Sequence, residues 1–156
     1  MYQVVPEHRA EQPTLVLIGK YAVSDIPAFL GRAYTAVAEH IGKSGLDFAG
    51  PPFARHRPLD GDFTEFEVEA GFPVDRFAEG SGEVIASTLP EGDVAVVTYT
   101  GPYAEMKPAY DAIQEWITAQ GGHVDDAAWE VYYSDPNTEP DPSTWRTDIV
   151  WPYRIP

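Results

Sequence analysis

The sequence predicts a single α+β domain made of two tandem strand–helix–strand–strand repeats, with antiparallel sheets, a pseudo-twofold relation and a cleft between the repeats. Three observations carry this reading. Two amphipathic helices match each other at a constant offset, and the segments flanking them match in the same order. The chain of 156 residues is long enough for one full hydrophobic core and too short for two ordinary domains.

The first helix is read after Ser24-Asp25-Ile26-Pro27, where Ser24 or Asp25 offers a capping side chain and Pro27 suits an opening turn. Its apolar stripe is Leu30, Ala33/Tyr34, Val37 and Ile41, and it stops near Gly42 to Gly45. The second helix follows Gly101-Pro102-Tyr103, has Pro108 early, carries Met106, Ala109/Tyr110, Ile113 and Ile117, and ends at Gly121-Gly122. Shifted by 76 residues, Ala33, Tyr34, Ala36, Glu39, Ile41 and Gly45 fall on Ala109, Tyr110, Ala112, Glu115, Ile117 and Gly121. Shared helix patterning explains the apolar matches, but not Glu39/Glu115 or the matching terminal glycine. An internal repeat does.

A strand-like run precedes each helix, Leu15–Ile18 in one half and Val94–Tyr99 in the other. A second strand follows each, Phe53–His56 against Trp129–Tyr132, and then a turn, Pro58–Asp62 or Ser134–Asn137. Each half closes on a third strand that ends at a proline, Phe66 to Phe72-Pro73 and Trp145 to Trp151-Pro152. Repeat one therefore spans about residues 1–78 and repeat two about 83–156. The joining segment carries Gly80, Gly82, Pro90 and Gly92 and holds a short strand near Glu83 to Ser87, and Tyr2 to Val5 reads as an extra edge strand. Ser134 to Ser143 is too polar for a core and reads as an exposed loop. One unit alone leaves an unpaired sheet edge and half a core; two units about a pseudo-dyad remove both problems and leave a cleft.

Composition narrows the function. Apolar residues make up 44% and aromatics 13%, which argues for a folded globular chain. No apolar run is long enough to span a bilayer, and the start, Met1 to His8, lacks the basic and apolar regions of a signal peptide, so the expected location is cytoplasmic with no membrane partner. The absence of cysteine excludes disulfides and thiolate chemistry. A formal charge of −15 repels phosphate backbones, which argues against direct nucleic-acid binding, and it attracts cations; solubility alone is the plainer reason for such a charge.

No P-loop, G-x-G-x-x-G, G-x-S-x-G or H-E-x-x-H pattern is present. His8, His40, His56 and His123 are scattered without ligand spacing, so neither metal nor cofactor is expected. Glu130 is the informative residue, because it sits in the apolar run Ala128-Trp129-Glu130-Val131-Tyr132-Tyr133. Strand alternation puts Glu130 and Tyr132 on one face and Trp129, Val131 and Tyr133 on the other. The second set suits packing beneath the helix, which would turn Glu130 and Tyr132 toward the cleft. A carboxylate among aromatic rings is a cation receptor; the alternative is a glutamate on the wet face of a half-exposed sheet. Tyr34 and Tyr110 lie on the helical stripes and read as core, and Trp116 as a helix-flank residue. Phe53, Tyr99, Tyr103, Trp145, Trp151 and Tyr153 lie on or beside strands and are candidates to line the cleft. His56 joins the ligand set as the repeat position of Tyr132. Glu69 and Asp148 match when the closing prolines are superposed, so an acid recurs there.

Gly50-Pro51-Pro52-Phe53-Ala54-Arg55, Glu69-Ala70-Gly71-Phe72-Pro73-Val74, Gly101-Pro102-Tyr103, Trp129 to Pro136, Trp145-Arg146-Thr147-Asp148 and Trp151-Pro152 together resemble the gyrase-inhibitor-like family, which includes effector-binding domains of multidrug-responsive transcription regulators. The resemblance runs in order through nearly the whole chain. It implies the duplicated fold, a cleft that takes lipophilic and often cationic aromatic compounds, and Glu130 as the cavity acid, the glutamate of the W-E-x-Y pattern. Tyr99 stands where many relatives carry a histidine, which puts in doubt any proton-transfer role tied to that position. No helix-turn-helix segment accompanies the domain, so a binding protein acting without its own DNA-binding module is expected. Two other activities stay open. One is hydrolysis of strained, cyclopropane-type electrophiles, with Glu130 and Tyr132 or Tyr103 activating water. The other is an acidic protein-interaction role such as gyrase antagonism.

Overall fold

Elements run along the chain as β1 (Val5–Arg9), β2 (Gln12–Ala22), α1 (Ile26–Ser44), β3 (Phe53–Pro58), β4 (Glu65–Pro73), β5 (Ile85–Leu89), β6 (Gly92–Thr100), α2 (Lys107–Ala119), β7 (His123–Val124), β8 (Trp129–Tyr132) and β9 (Arg146–Arg154), with 3-10 turns at Val23–Asp25, Tyr103–Glu105 and Pro142–Thr144. The computed structural model describes residues 2–62, 64–134 and 138–156. The fold is α+β with antiparallel pairing, as the sequence predicts. Part of the second expected turn, Asp135 to Asn137, lies outside the described residues.

The chain divides into two units. The first is Glu11–Pro90; the second is Glu91–Pro156 together with the segment ending at Ala10. In the first unit β4 lies between β3 and β2, and β2 also pairs with β5. In the second, β6 lies between β1 and β9, and β9 also pairs with β8 and, at its end, with β7. The expected edge strand at the start of the chain therefore forms a few residues later, on β6, where Pro6 is tolerated because it needs no second ladder partner. The short strand of the joining segment forms at Ile85–Leu89 on β2. β9 runs past Pro152 to Arg154 rather than ending there, because β7 pairs with its last two residues.

Each helix packs on one face of its own sheet. α1 buries Ile26, Phe29, Ala33, Val37 and Ile41. Phe29 stacks on Tyr21 at 4.5 Å and Tyr34 meets Phe72 edge-on at 5.7 Å, which fixes the α1 face as that of Leu15, Leu17, Ala70 and Ala54. α2 buries Ala109, Ile113 and Ile117, which join Ala95, Val97, Tyr99, Met106 and Ile149 in one core. Neither Ser24 nor Asp25 makes the expected side-chain cap. The 3-10 turn before α1 already places Asp25 in helical conformation (φ −96°, ψ −8°), which takes its side chain out of capping position. The stop is as expected. Gly45 takes the left-handed conformation (φ 68°) and returns its N–H to Ile41, a geometry that favours glycine. Among the described residues no helix is long and apolar enough to cross a membrane.

Candidate functional site

β8 is short and pairs with β9 so that Glu130 stands opposite Ile149 and Tyr132 opposite Thr147. Directly opposed residues of an antiparallel pair share a face. Ile149 belongs to the core under α2, so Glu130 and Tyr132 lie on the helix side of the sheet. The alternation is as expected and the faces are exchanged. Trp129, buried to 1% exposure, points to the opposite side with Val150, and it is Glu130 that meets the helix. The physical reason is Tyr110. Its ring extends from α2 and its hydroxyl donates to Glu130 Oε2, so the helix supplies a polar partner where an apolar contact was expected.

The second carboxylate oxygen is also occupied, since Tyr132 Oη donates to Glu130 Oε1 at 2.8 Å. Both oxygens act as acceptors, the arrangement of an ionised carboxylate. Burial, and then the charge and hydrogen bond of Glu130, hold the Tyr110 phenol well above its ordinary value of 10.0. Glu130 is half-buried, and among the described residues no lysine, arginine or histidine pairs with it.

Aromatic rings surround this group. Tyr103 meets Tyr132 edge-on at 5.6 Å and lies against Trp145 at 4.8 Å. Trp151 meets Tyr110 edge-on at 5.8 Å, with its indole N–H held by the carbonyl of Asp126 at 3.0 Å. Half-buried carboxylate, phenol donors and ring faces together suit an organic cation. The rings supply quadrupole attraction and exclude water, and the formal charge acts through a medium that screens weakly. No group of three or more metal-ligating side chains occurs among the described residues.

Of the residues named from sequence, Glu130, Tyr132, Tyr103, Trp145 and Trp151 come together in the second unit. Tyr99 and Tyr153 belong to that unit but do other work. Tyr99 is 3% exposed and its hydroxyl donates to the Pro102 carbonyl at 2.7 Å. Tyr153 meets Trp116 edge-on at 5.5 Å and packs the later part of α2. Phe53 and His56 are in the first unit. Phe53 is buried to 1% exposure on the side away from α1, and His56 meets Phe66 edge-on at 6.1 Å. Tyr110 is the residue that sequence reasoning assigned to core and that the structure sets against Glu130. The signal was available in the offset of 76: Tyr34 and Tyr110 share one helical position, and Glu130 stands where the first half of the sequence has Ala54.

A GyrI-like small-molecule-binding domain model matches residues 7–154. The chain belongs to the GyrI-like family. No curated protein matches in sequence. Among solved structures, this GyrI-like domain is similar to the EcmrR C-terminal domain, with a TM-score of 0.81 at 20% identity over 100% of this chain and 99% of that one. EcmrR in its DNA complex gives 0.84 at 19% identity over 99% of this chain, which spans 58% of the EcmrR chain. A hydrolase from Listeria innocua gives 0.70 at 16% identity, covering 97% of this chain and 92% of that one. SAV2435 bound to tetraphenylphosphonium gives 0.61 at 14% identity, covering 99% and 94%. At these identities the likeness speaks for the fold. The family match is what makes this a small-molecule-binding domain.

Proposed function

We propose that this GyrI-like domain binds lipophilic, cationic aromatic compounds, with the charge of the ligand at Glu130 and its rings against Tyr103, Tyr132, Trp145 and Trp151. The observation that carries the reading is the carboxylate without a protein cation. Glu69, the buried acid of the first unit, has Arg55 at 2.9 Å; Glu130 has phenols. Phenols satisfy the hydrogen-bonding capacity of a carboxylate and leave its charge uncompensated, so a cationic ligand supplies what the protein does not. The formal charge of −15 adds a field that draws cations in. The likeness to SAV2435 bound to tetraphenylphosphonium supports the same ligand class.

The test is a titration of tetraphenylphosphonium and of a rhodamine dye against the wild type and Glu130→Gln. The amide keeps the shape and removes the charge, so affinity should fall roughly ten- to a hundredfold. Equal affinity in the two proteins overturns the reading. A second reading, hydrolysis of a strained electrophile, draws support from the likeness to the Listeria hydrolase and from the two phenols that donate to Glu130. In it Glu130 takes a proton from water as the water oxygen bonds to the electrophilic carbon, and the strained C–C bond breaks. A phenol gives its proton to the released carbon, and the proton on Glu130 then restores the phenol.

A further inference from the structure

We infer that Tyr99 is a positioning residue for the aromatic wall of this site, acting through Tyr103; the inference rests on the binding reading above. Tyr99 stands on the helix side of β6, within the core formed with Val97, Met106 and Ala109, and its burial takes it out of reach as a ligand contact. Its one polar atom reaches the Gly101-Pro102-Tyr103 turn and donates to the Pro102 carbonyl at 2.7 Å. The same carbonyl accepts the Glu105 N–H at 3.2 Å, which closes the 3-10 turn that begins at Tyr103. The Tyr99 hydroxyl therefore holds the entry of that turn.

The turn is fitted to this hydroxyl from the other side. Gly101 has φ 144°, and a Cβ there would come within 2.8 Å of Tyr99 Oη. Its N–H donates to the Trp145 carbonyl at 2.8 Å, so the turn is pinned at one end to the residue whose ring lies against Tyr103. Tyr2 backs the post, with ring centroids 6.2 Å from those of Tyr99. Two residues beyond Gly101, the Tyr103 ring meets Tyr132, whose hydroxyl is on Glu130. Removing the Tyr99 hydroxyl leaves the ring packing in place and frees the turn, so Tyr103 loses its fixed position over Tyr132. A side chain that must be ordered on binding lowers affinity, whereas one already ordered does not.

The experiment is a double-mutant cycle of Tyr99→Phe and Tyr103→Ala, read as tetraphenylphosphonium affinity on folded protein, with thermal melts run alongside. Tyr99→Phe should weaken binding roughly two- to tenfold, the worth of one hydrogen bond expressed as affinity. In the Tyr103→Ala background it should weaken binding no further, because the residue it positions is gone. A purely structural role would lower the melting temperature and leave that cycle additive. Unchanged affinity in Tyr99→Phe, or additive losses, overturns the inference while leaving the binding reading standing. Wild type that does not bind the probe overturns both. Should Tyr99→Phe not fold, Gly101→Ala presses on the same hydroxyl with Tyr99 intact; it should show the same loss, and wild-type affinity there also overturns the inference.

Discussion

Tyr34 and Tyr110 occupy the same position of their helices, 76 residues apart, and their hydroxyls find different partners. Tyr34 donates to the backbone carbonyl of Phe53 at 3.0 Å. Tyr110 donates to the side-chain carboxylate of Glu130. The difference begins at one residue of the neighbouring strand, because Ala54 offers no acceptor and Glu130 offers two. The first unit keeps its buried acid on the opposite face, where Glu69 accepts from Arg55 at 2.9 Å and from Ser87 at 3.0 Å, and Arg55 also reaches the Thr88 carbonyl. A charge placed in the interior with its own counter-charge ties β3, β4 and β5 together. A charge placed with phenols has no counter-charge among the described residues. Local departures from self-consistency of this kind are expected where a chain has a function to perform.

Removing the counter-charge from the first unit should have the largest effect. Both side chains of the Arg55–Glu69 pair are 6% exposed, so Glu69→Ala leaves a guanidinium in the interior without its carboxylate. The expected cost is about 3–5 kcal/mol in urea unfolding. The double replacement Arg55→Met with Glu69→Leu should recover most of it, since two apolar side chains leave no uncompensated charge. A loss below about 1 kcal/mol in Glu69→Ala would mean that the pair behaves like a surface ion pair and the two acids are alike after all.

The second unit should lose stability at alkaline pH through the phenols it buries. Burial first, and Glu130 after it, raise the Tyr110 phenol well above 10.0. Tyr99, Tyr133 and Tyr153 of the same unit are also raised, each chiefly by burial. An unfolded phenol gives up its proton first, so above about pH 10 the unfolded state binds fewer protons and stability falls as pH rises. The contribution is complete below the unfolded value and is lost as pH climbs through the raised folded one. Tyr110→Phe should cost about 1.5 kcal/mol at neutral pH, the lower part of the range for a hydrogen bond to a charged group, because Glu130 is only half-buried. It should also lose less of its remaining stability than wild type between neutral and alkaline pH. Parallel alkaline slopes in the two proteins would separate Tyr110 from the titration.

Much of the architecture was legible because it is written in periodicity. The stripes at Ala33, Val37 and Ile41 and at Ala109, Ile113 and Ile117 are buried in both helices, and the strands around them follow the alternation of apolar residues. Boundaries slipped where a neighbour decides them. β9 continues past Pro152 because β7 pairs with it, and Asp25 fails to cap because a 3-10 turn precedes it. For the site, Glu130 and Tyr132 were legible as a pair on one face, since alternation is a local rule. Which face bears the helix is not local: it depends on register against β9, a strand that lies beyond the intervening loop. Tyr110 does pack against the core under α2, as its place on the stripe implies, but its bond to Glu130 was not legible for a related reason. A tyrosine on an apolar stripe looks like core until the acceptor for its hydroxyl is known. The placement of Tyr99 depended likewise on a carbonyl three residues further along the chain.

The smallest effect is the most diagnostic of what the carboxylate adds. Tyr34→Phe keeps the ring, and with it the edge-on contact to Phe72 at 5.7 Å, while the hydroxyl and its bond to the Phe53 carbonyl are lost. A neutral hydrogen bond of that kind is worth about 0.5–1 kcal/mol net, because water replaces much of it in the unfolded chain. Set beside Tyr110→Phe under the same urea conditions, the same atom is deleted from the same helical position, and the two differ in the acceptor left behind. The excess loss in Tyr110→Phe is then the part due to the charge on Glu130. Making both substitutions in the Glu130→Gln protein should shrink that excess toward zero while leaving the cost of Tyr34→Phe unchanged. If the two phenylalanine variants lose equal stability before that change, the carboxylate adds nothing to its phenol, and the contrast between the units rests on Arg55 and Glu69 alone.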